Sequence, residues 1–418
     1  MSELRLGIAG LGTVAQGVLH LLAANADRMQ RRAGRRLRVS RVVSRTPKPE
    51  IDLLGATFST ELDDLLAEDV DLVIELIGGE EPARTLIENA ISAGKPVVTA
   101  NKAVVARYGN DLLPASQLKF EASVAGAIPI VAALEQALVA NEVSQVVGII
   151  NGTCNYILTS MQSEGAAFAD ALQRAQELGY AEADPTFDID GIDAAHKLTI
   201  LASLAFDCAL NFDAVYIEGI RQIDAQDIRF AQELGYAIKH VGIVKASDQG
   251  EIEARVHPAL IAEDELLANV NDVANAVLVS SDGAGQTLFS GPGAGSTATA
   301  SAVLADVVAL ALAPPPIDRA LIPARYVAID HVVCPNYLRI PVVDQAGVFA
   351  QIANALSERG ISIEAAIQKE PQRSGDVVSI VILTGSCTGS DLNAALQDVQ
   401  EIEYIAGDIA RIRVETMG

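Results

Sequence analysis

Residues 4–18 read LRLGIAGLGTVAQGV. Leu4 to Ala9 alternates towards a short buried strand, and GLGTVAQGV then turns into a helix whose apolar positions Val14, Val18, Leu21 and Leu22 recur at helical spacing. A strand, a glycine turn and a helix in that order are what a dinucleotide-binding fold requires. Gly10 permits the tight turn, and Gly12 lets the backbone approach a pyrophosphate closely. The helix opening at Thr13 and Val14 then offers free N–H groups and its positive dipole end to that anion. The third position of the fingerprint is Ala15, a tolerated small residue. Glycines also simply terminate strands, so the Gly-x-Gly gains its meaning from the strand before it, the helix after it and the βα alternation beyond.

That alternation continues. Asp71 to Leu76 and Pro96 to Thr99 are apolar runs ending in polar or glycine residues, as parallel strands buried on both faces do. Their carboxyl ends carry Gly78-Gly79 and Thr99-Ala100-Asn101-Lys102. Ligands of an open doubly wound sheet bind outside those ends, which puts Thr99 and Lys102 where a nicotinamide or substrate would sit. For Lys102 a solvated loop lysine is the competing reading, and position alone leaves the two equal.

The second strand, Leu37 to Val43, bears on which dinucleotide is bound. A site selective for NAD places an acid near its end to hold the ribose 2′-hydroxyl. No acid stands between Asp27 and Glu50; the chain offers Arg28, Arg31, Arg32, Arg35, Arg36, Arg38, Arg41, Arg45 and Lys48 instead. Most of these read as a solvated charged face. Arg45 and Lys48 lie where a 2′-phosphate needs cations, so the expected cofactor is NADP, with NAD as the alternative.

Composition sets the class. With 418 residues and 50% hydrophobic content, two or three domains with sizeable cores are expected. A net charge of −24 argues against nucleic acid, because most of the surface would repel a phosphate backbone. The first residues lack a charged segment followed by an apolar one, and no apolar run approaches the roughly 20 residues of a membrane span. A cytoplasmic enzyme is expected. Cys154, Cys208, Cys334 and Cys387 are widely spaced and show no metal-ligand pattern, which suits a reducing compartment.

A second region follows residue 128. VVGIINGTCNYILTSM supplies a strand, an Asn151-Gly152-Thr153 turn and a helix. AQELGYAEADPTFDIDGIDAAHKLTILA then gathers Glu182, Asp184, Asp188, Asp190 and Asp193 ahead of Lys197. Asp193 and Lys197 stand four apart on a helix from about Ile192 to Leu204 and so face the same way. An exposed ion pair at that spacing is worth only about 0.3–0.5 kcal/mol. The same helix carries Ile192, Leu198, Ile200, Leu201 and Leu204, which predict that it is largely buried. A lysine on a buried helix near carboxylates is a candidate proton donor or orienting cation for a carbonyl group.

With these segments in place the chain resembles the homoserine dehydrogenases, a family that interconverts L-aspartate 4-semialdehyde and L-homoserine with NAD(P). The likeness covers nearly the whole chain through GLGTVAQG, ELIGG, VTANKA, EASVAGAIPI, NGTCNYIL, GYAEADPTFDIDGIDAAHK and GPGAGSTATASAVLAD. It implies that Lys197 is the catalytic lysine and that Lys102 lies beside nicotinamide and substrate. Glu182 and Asp193 would bind the substrate's ammonium and orient its polar groups. It also implies a sodium site at Glu121, Val124, Gly126 and Ile128, and a contact from Gly293 to the cofactor. The chain departs from the family in two places, with Ala15 where glycine is frequent and Ala127 where the junction often has a second glycine. Neither removes a reacting group.

After the proline-rich APPPIDRALIPA the chain changes character. Strand Tyr337 to Val343, a helix ended by Gly360, strands Ile361 to Gln368 and Val377 to Thr384, helix Asp391 to Val399 and strand Ala410 to Val414 give a βαββαβ order. This order resembles an ACT domain, a ferredoxin-like module that commonly binds amino acids. Val348, Ile352 and Leu356 mark the buried side of its first helix.

The expected class is therefore α/β. A Rossmann-type dinucleotide-binding domain spans 1–128 and is completed by about 291–325. An α+β substrate-binding and dimerisation domain spans 129–290, and an ACT-like regulatory domain spans 331–418. L-Threonine is the expected effector, with a purely dimerising tail as the alternative, and a homodimer or homotetramer is expected. Because the Gly-x-Gly begins at Gly10, the expected form is monofunctional. Two other functions compete: another NAD(P)-dependent amino-acid or aldehyde oxidoreductase, and a non-catalytic amino-acid sensor. The two lysines and the acid-rich run disfavour both.

Overall fold

The structure, a computed structural model, describes residues 2–114, 117–247, 249–312, 321–369 and 377–417. Most of the proline-rich linker, residues 313–320, lies outside them. The chain forms two compact units: residues 1–152, 193–215 and 274–324 in one, and 153–192, 216–273 and 325–418 in the other. Of residues 129–290, 129–152, 193–215 and 274–290 fall in the first unit, and 153–192 and 216–273 fall in the second with the C-terminal module.

The first unit opens with β1 (Glu3–Ala9), α1 (Thr13–Ala24), α2 (Ala26–Ala33), β2 (Arg36–Val43), β3 (Thr57–Ser59), β4 (Leu72–Glu75), α3 (Ala83–Ser92), β5 (Val97–Thr99), α4 (Lys102–Leu112) and β6 (Leu118–Lys119). The sheet order is β3-β2-β1-β4-β5-β6 and every pair is parallel, the doubly wound arrangement with its topological switch between β1 and β4. Ala15, Val18, Leu19 and Leu22 of α1 are buried in the same core as Leu6, Ile8 and Ile74. Helix Ser296–Ala311 adds Ala300, Val303, Leu304 and Val307 to that core. It approaches α1 closely because Gly17 has no side chain: a Cβ there would lie 2.4 Å from the Ser296 carbonyl oxygen. Strands Val143–Ile149, Ala274–Ser281 and Gly285–Pro292 form an antiparallel run in the same unit.

In the second unit the βαββαβ module is present, with strands Asn336–Val343, Ile363–Gln368, Val377–Thr384 and Ala410–Glu415 and helices Val348–Glu358 and Gly389–Gln400. Val348, Ile352 and Leu356 are buried beneath it, as their spacing predicts. The module is not a free-standing tail. Its last strand pairs in parallel with Glu251–Ala262, so its sheet continues into the long hairpin Tyr236–Ala246/Glu251–Ala262. The pairing closes an edge that would otherwise expose unpaired N–H and C=O groups. Two buried ionic contacts reinforce it: Arg255 with Glu415, and Asp227 with Arg339 at 2.6 Å and with the Tyr337 hydroxyl at 3.0 Å. Among the described residues no helix is long and apolar enough to cross a membrane.

Candidate active site

The turn after β1 is built for close approach. Gly10 sits at φ +98° and its N–H donates to the Val43 carbonyl at 2.7 Å, while a Cβ would stand 2.6 Å from the Leu76 carbonyl oxygen. At Gly12 a Cβ would meet nothing within 4 Å, so the space in front of this residue is open. Gly12 caps α1 with no side-chain hydrogen bond, and the first turn carries no acid. The N–H groups at the start of α1, where Thr13 and Val14 lie, thus keep their capacity for an anion. A cavity of about 450 Å³ opens here, lined by Gly10, Gly12, Arg45, Lys48, Leu76 and Gly78 among others. It lies over the switch point, and its donors suit a pyrophosphate.

The arginine-rich stretch divides. Arg28, Arg31, Arg32, Arg36 and Arg38 are exposed. Arg41 is held by Asp69 through Nη2 at 3.1 Å. Arg45 and Lys48 reach the cavity, so the structure brings these two, and not the other seven, to the glycine turn.

At the end of β4, fully buried Glu75 accepts from the Ile77 N–H at 2.7 Å and from the Thr99 hydroxyl, which itself accepts from the Asn101 N–H at 3.0 Å. The Thr99 side chain is therefore committed to the scaffold, and any cofactor contact from this residue would come from its main chain. Asn101 caps α4 by accepting from the Val104 N–H at 3.2 Å and donates to the Gly79 carbonyl at 2.6 Å. These bonds fix Lys102 as the first residue of α4. Glu75 stands in the ELIGG motif, but a lone acid ending an apolar strand gave no signal of this anchoring role.

Lys102, Asp193 and Lys197 meet. Asp193 Oδ1 is 2.9 Å from Lys102 Nζ, and Oδ2 is 2.7 Å from Lys197 Nζ. Asn151 Nδ2 donates to Asp193 Oδ2 at 2.8 Å, and Lys197 Nζ donates to the Ile150 carbonyl at 2.7 Å. Asp193 is buried, and burial alone would push its carboxyl up. The Lys197 and Lys102 ammonium groups outweigh that and hold it well below the usual carboxylate range. The carboxylate therefore stays ionised and fixes two ammonium groups, one of which, Lys102, remains a third exposed. Such a cluster can orient a carbonyl oxygen and supply it with a proton.

A ring contact ties the two lysine-bearing helices together. His196, next to Lys197, stacks on Phe212 with centroids 4.4 Å apart, and Arg107 of α4 lies 4.8 Å from the centre of the same ring. Burial, then the Arg107 charge, pushes His196 down to about 4, so the ring is neutral at pH 7. Arg107 is in turn 3.2 Å from Glu80. Phe212→Ala is expected to cost about 0.5–1.5 kcal/mol of stability. It should also lower kcat by up to about 100-fold through misplacement of the lysines, with cofactor KM unchanged. Phe212→Tyr should restore both, and steady-state kinetics with urea unfolding would check the pair.

The suggested cation loop is buried. Glu121 accepts from the Val131 and Ala132 N–H groups, each at 2.8 Å, so its carboxylate caps a helix start and is largely committed. Ala125 and Gly126 both have positive φ, 52° and 59°, which turns the backbone sharply between Val124 and Ile128. A Cβ on Gly126 would lie 2.4 Å from the Gly293 carbonyl oxygen, so the loop and the glycine-rich segment are in direct backbone contact. Burial pushes Glu121 up and raises Asp306, which accepts from the Glu121 N–H at 2.8 Å, to about 7. Among the described residues no group of three or more His, Cys, Asp or Glu side chains could hold a metal.

Glu182 belongs to the second unit. It is exposed, and its main-chain oxygen accepts from Gln176 Nε2 at 3.0 Å. Nearby Thr153 donates to the Tyr180 carbonyl at 2.6 Å, and Asp190 pairs with Arg221.

Proteins similar to this chain in sequence and fold include homoserine dehydrogenases. Family models described as homoserine dehydrogenase, its NAD-binding domain and the ACT domain match residues 129–308, 10–120 and 336–403. The chain is 44% identical to homoserine dehydrogenase of Pseudomonas aeruginosa and 37% identical to that of Bacillus subtilis, covering 100% of both chains in each case. The crystal structure of a homoserine dehydrogenase from Thiobacillus denitrificans superposes with a TM-score of 0.94 at 44% identity, covering 100% of this chain and 99% of that one. A hyperthermophilic archaeal homoserine dehydrogenase in complex with NADPH matches 75% of this chain and 99% of its own, with a TM-score of 0.64 at 26% identity. Full-length likeness, a glycine cradle and a Lys–Asp–Lys cluster converge: the chain belongs to the homoserine dehydrogenase family, NAD(P)-dependent oxidoreductases acting on a CH–OH group, with a C-terminal ACT domain.

Proposed function

We propose that the chain reduces L-aspartate 4-semialdehyde to L-homoserine with NADPH, and that Lys197, Lys102 and Asp193 carry the chemistry. The observation behind this reading is the single buried carboxylate gripping two ammonium groups 2.9 and 2.7 Å away. The nicotinamide, when bound, supplies the hydride. Lys197 and Lys102 polarise the aldehyde oxygen and give a proton to the oxygen that becomes the hydroxyl, while Asp193 and Asn151 hold the ammonium groups in position. Glu182 binds the substrate's ammonium. Gly10, Gly12, Thr13, Val14, Thr99 and Gly293 contact the cofactor through main chain. The functional division follows, with cofactor residues in 1–128 and 291–325, substrate residues in 129–290 and regulation in 331–418. Absorbance at 340 nm with L-homoserine and NADP⁺ or NAD⁺ tests this; no reduction with either cofactor would overturn it.

The preference for NADPH rests on Arg45 and Lys48 at the cavity wall with no acid at the end of β2. An archaeal relative is described in complex with NADPH. Replacing both residues with alanine is expected to remove charge-assisted hydrogen bonds worth about 1.5–3 kcal/mol. The KM for NADPH should rise by about ten- to a hundred-fold, and the KM for NADH should barely change. Equal effects on both cofactors would refute the assignment.

A sodium ion at the loop 121–128 is part of the same proposal. Its ligands would be main-chain carbonyls of Glu121, Val124, Gly126 and Ile128, since the Glu121 carboxylate is engaged by two N–H groups. Two buried carboxylates next to the loop favour a cation there.

In the ACT domain a cavity of about 220 Å³ lined by Asp344, Gln345, Gly347, Val348 and Gln368 suits a small amino acid, and L-threonine is the proposed effector. Threonine should lower the rate and protect residues 337–369 from hydrogen exchange; absence of both effects would leave the domain an assembly element. The working state is a homodimer or homotetramer in the cytoplasm, which sedimentation of the purified protein would check.

A further inference from the structure

Two of the four cysteines, without pattern in the sequence, meet in space. Strand Val333–Cys334 pairs antiparallel with Cys387–Thr388, and Cys334 and Cys387 are direct cross-strand partners although 53 positions apart. Opposed residues of an antiparallel pair project from the same face with Cα atoms about 4.5–5.5 Å apart. A disulfide spans Cα separations of about 4.4–6.8 Å. The backbone therefore already holds the two residues at bonding range with both thiols free.

The surroundings are specific. Cys387 Sγ lies 4.0 Å from the Cys334 carbonyl oxygen and 3.8 Å from Asn336 Nδ2, which also donates to that carbonyl at 2.9 Å. Arg411 donates through Nε to Asn336 Oδ1 at 2.8 Å, and its charge acts on both sulfurs. Cys387 is half-buried and reachable, whereas Cys334 is buried. Cys154 and Cys208 are buried elsewhere, against the Asp188 and Ala202 carbonyls.

We propose that Cys334 and Cys387 form a reversible intramolecular disulfide, a modification site in the ACT domain whose oxidant is a low-molecular-weight disulfide such as oxidised glutathione. The Cys387 thiolate attacks one sulfur of the oxidant, forming a mixed disulfide and releasing one thiol. The Cys334 thiolate then attacks Cys387 Sγ and releases the second thiol. Two protein thiols lose two electrons and two protons, and the oxidant's disulfide is reduced to two thiols. Burial pushes the Cys334 thiol up to about 11 and raises Cys387 also, so closure is slow at neutral pH and accelerates as the pH rises. The bond would tie the residue ahead of strand Asn336–Val343 to the segment whose Thr388 caps helix Gly389–Gln400. A two-residue ladder would become a covalent clasp on the module, restricting its unfolded state.

The test uses full-length protein incubated with oxidised glutathione, quenched with N-ethylmaleimide and mapped without reduction, beside Cys334→Ser and Cys387→Ser. The expected result is a linked peptide containing Cys334 and Cys387, an intact mass lower by two hydrogens, reversal by dithiothreitol, and a Tm raised by oxidation only in the unsubstituted protein. Cys334→Ser should stop at a glutathione adduct on Cys387. Full alkylation of both cysteines after oxidation, or a glutathione adduct alone in the unsubstituted protein, would overturn the proposal. Circular dichroism of both variants separates these outcomes from misfolding.

Discussion

Lys197→Ala is expected to lower kcat/KM for L-homoserine oxidation by about 100- to 10,000-fold, the range set by removing a positioned proton-transfer group. The residue donates at 2.7 Å to both Asp193 Oδ2 and the Ile150 carbonyl, so its ammonium is oriented by two acceptors on different segments. An alanine leaves buried Asp193 paired with Lys102 but without the Lys197 charge, and the carboxyl should move up from its depressed value. A depressed carboxylate contributes stability that is fully present above its unfolded value near 3.8 and is lost as the pH falls through the folded value. In the variant that loss should begin at higher pH, which acid unfolding would record. Lys102→Ala is the companion measurement. If Lys102→Ala abolishes kcat while Lys197→Ala raises KM alone, the proton donor is Lys102.

The second large effect concerns stability. Glu415→Ala should destabilise the second unit by about 3–5 kcal/mol, because it strands the guanidinium of Arg255, which is buried with its partner. His257 offers little to replace the lost charge. Burial and the Arg255 charge hold its pKa well below the ordinary value, so it is a neutral neighbour 2.6 Å from Arg255 Nη1. Glu253 remains at 2.7 Å from Arg255 Nε and is less buried, which places the cost towards the lower end. Glu415→Gln keeps an acceptor and should lose less. The exposed pair Arg359–Asp398, at 2.8 Å, is the control: Arg359→Ala should change stability by no more than about 1 kcal/mol. Urea unfolding of the three variants reads the difference, and equal losses would refute the argument.

Legibility in the sequence followed how local each requirement was. The glycine turn was readable because Gly10 must take a positive φ and Gly12 must leave space, demands met within a few residues. The ACT elements were readable because one-sided burial imprints a period, as at Val348, Ile352 and Leu356. The hairpin Tyr236–Ala262 was not. Ala237 to Val244 is buried throughout and includes Lys239 and His240, so neither alternation nor polarity marks it as a strand. Lys239 is accommodated by the Val270 carbonyl at 2.7 Å and Asn271 at 2.8 Å, partners supplied by a distant loop.

The site shows the same division. Asp193 and Lys197 share a helix face by spacing alone, so the chain determined that pair and, through its motifs, the family and the chemistry. That Lys102 closes on the other carboxylate oxygen, that Glu75 spends the Thr99 hydroxyl, that Phe212 joins the lysine helices, and that Cys334 faces Cys387 were decided by tertiary structure. The reason is physical: periodicity and turn preference act over a few residues, whereas charge compensation and strand pairing depend on which distant segments folding brings within a few ångströms.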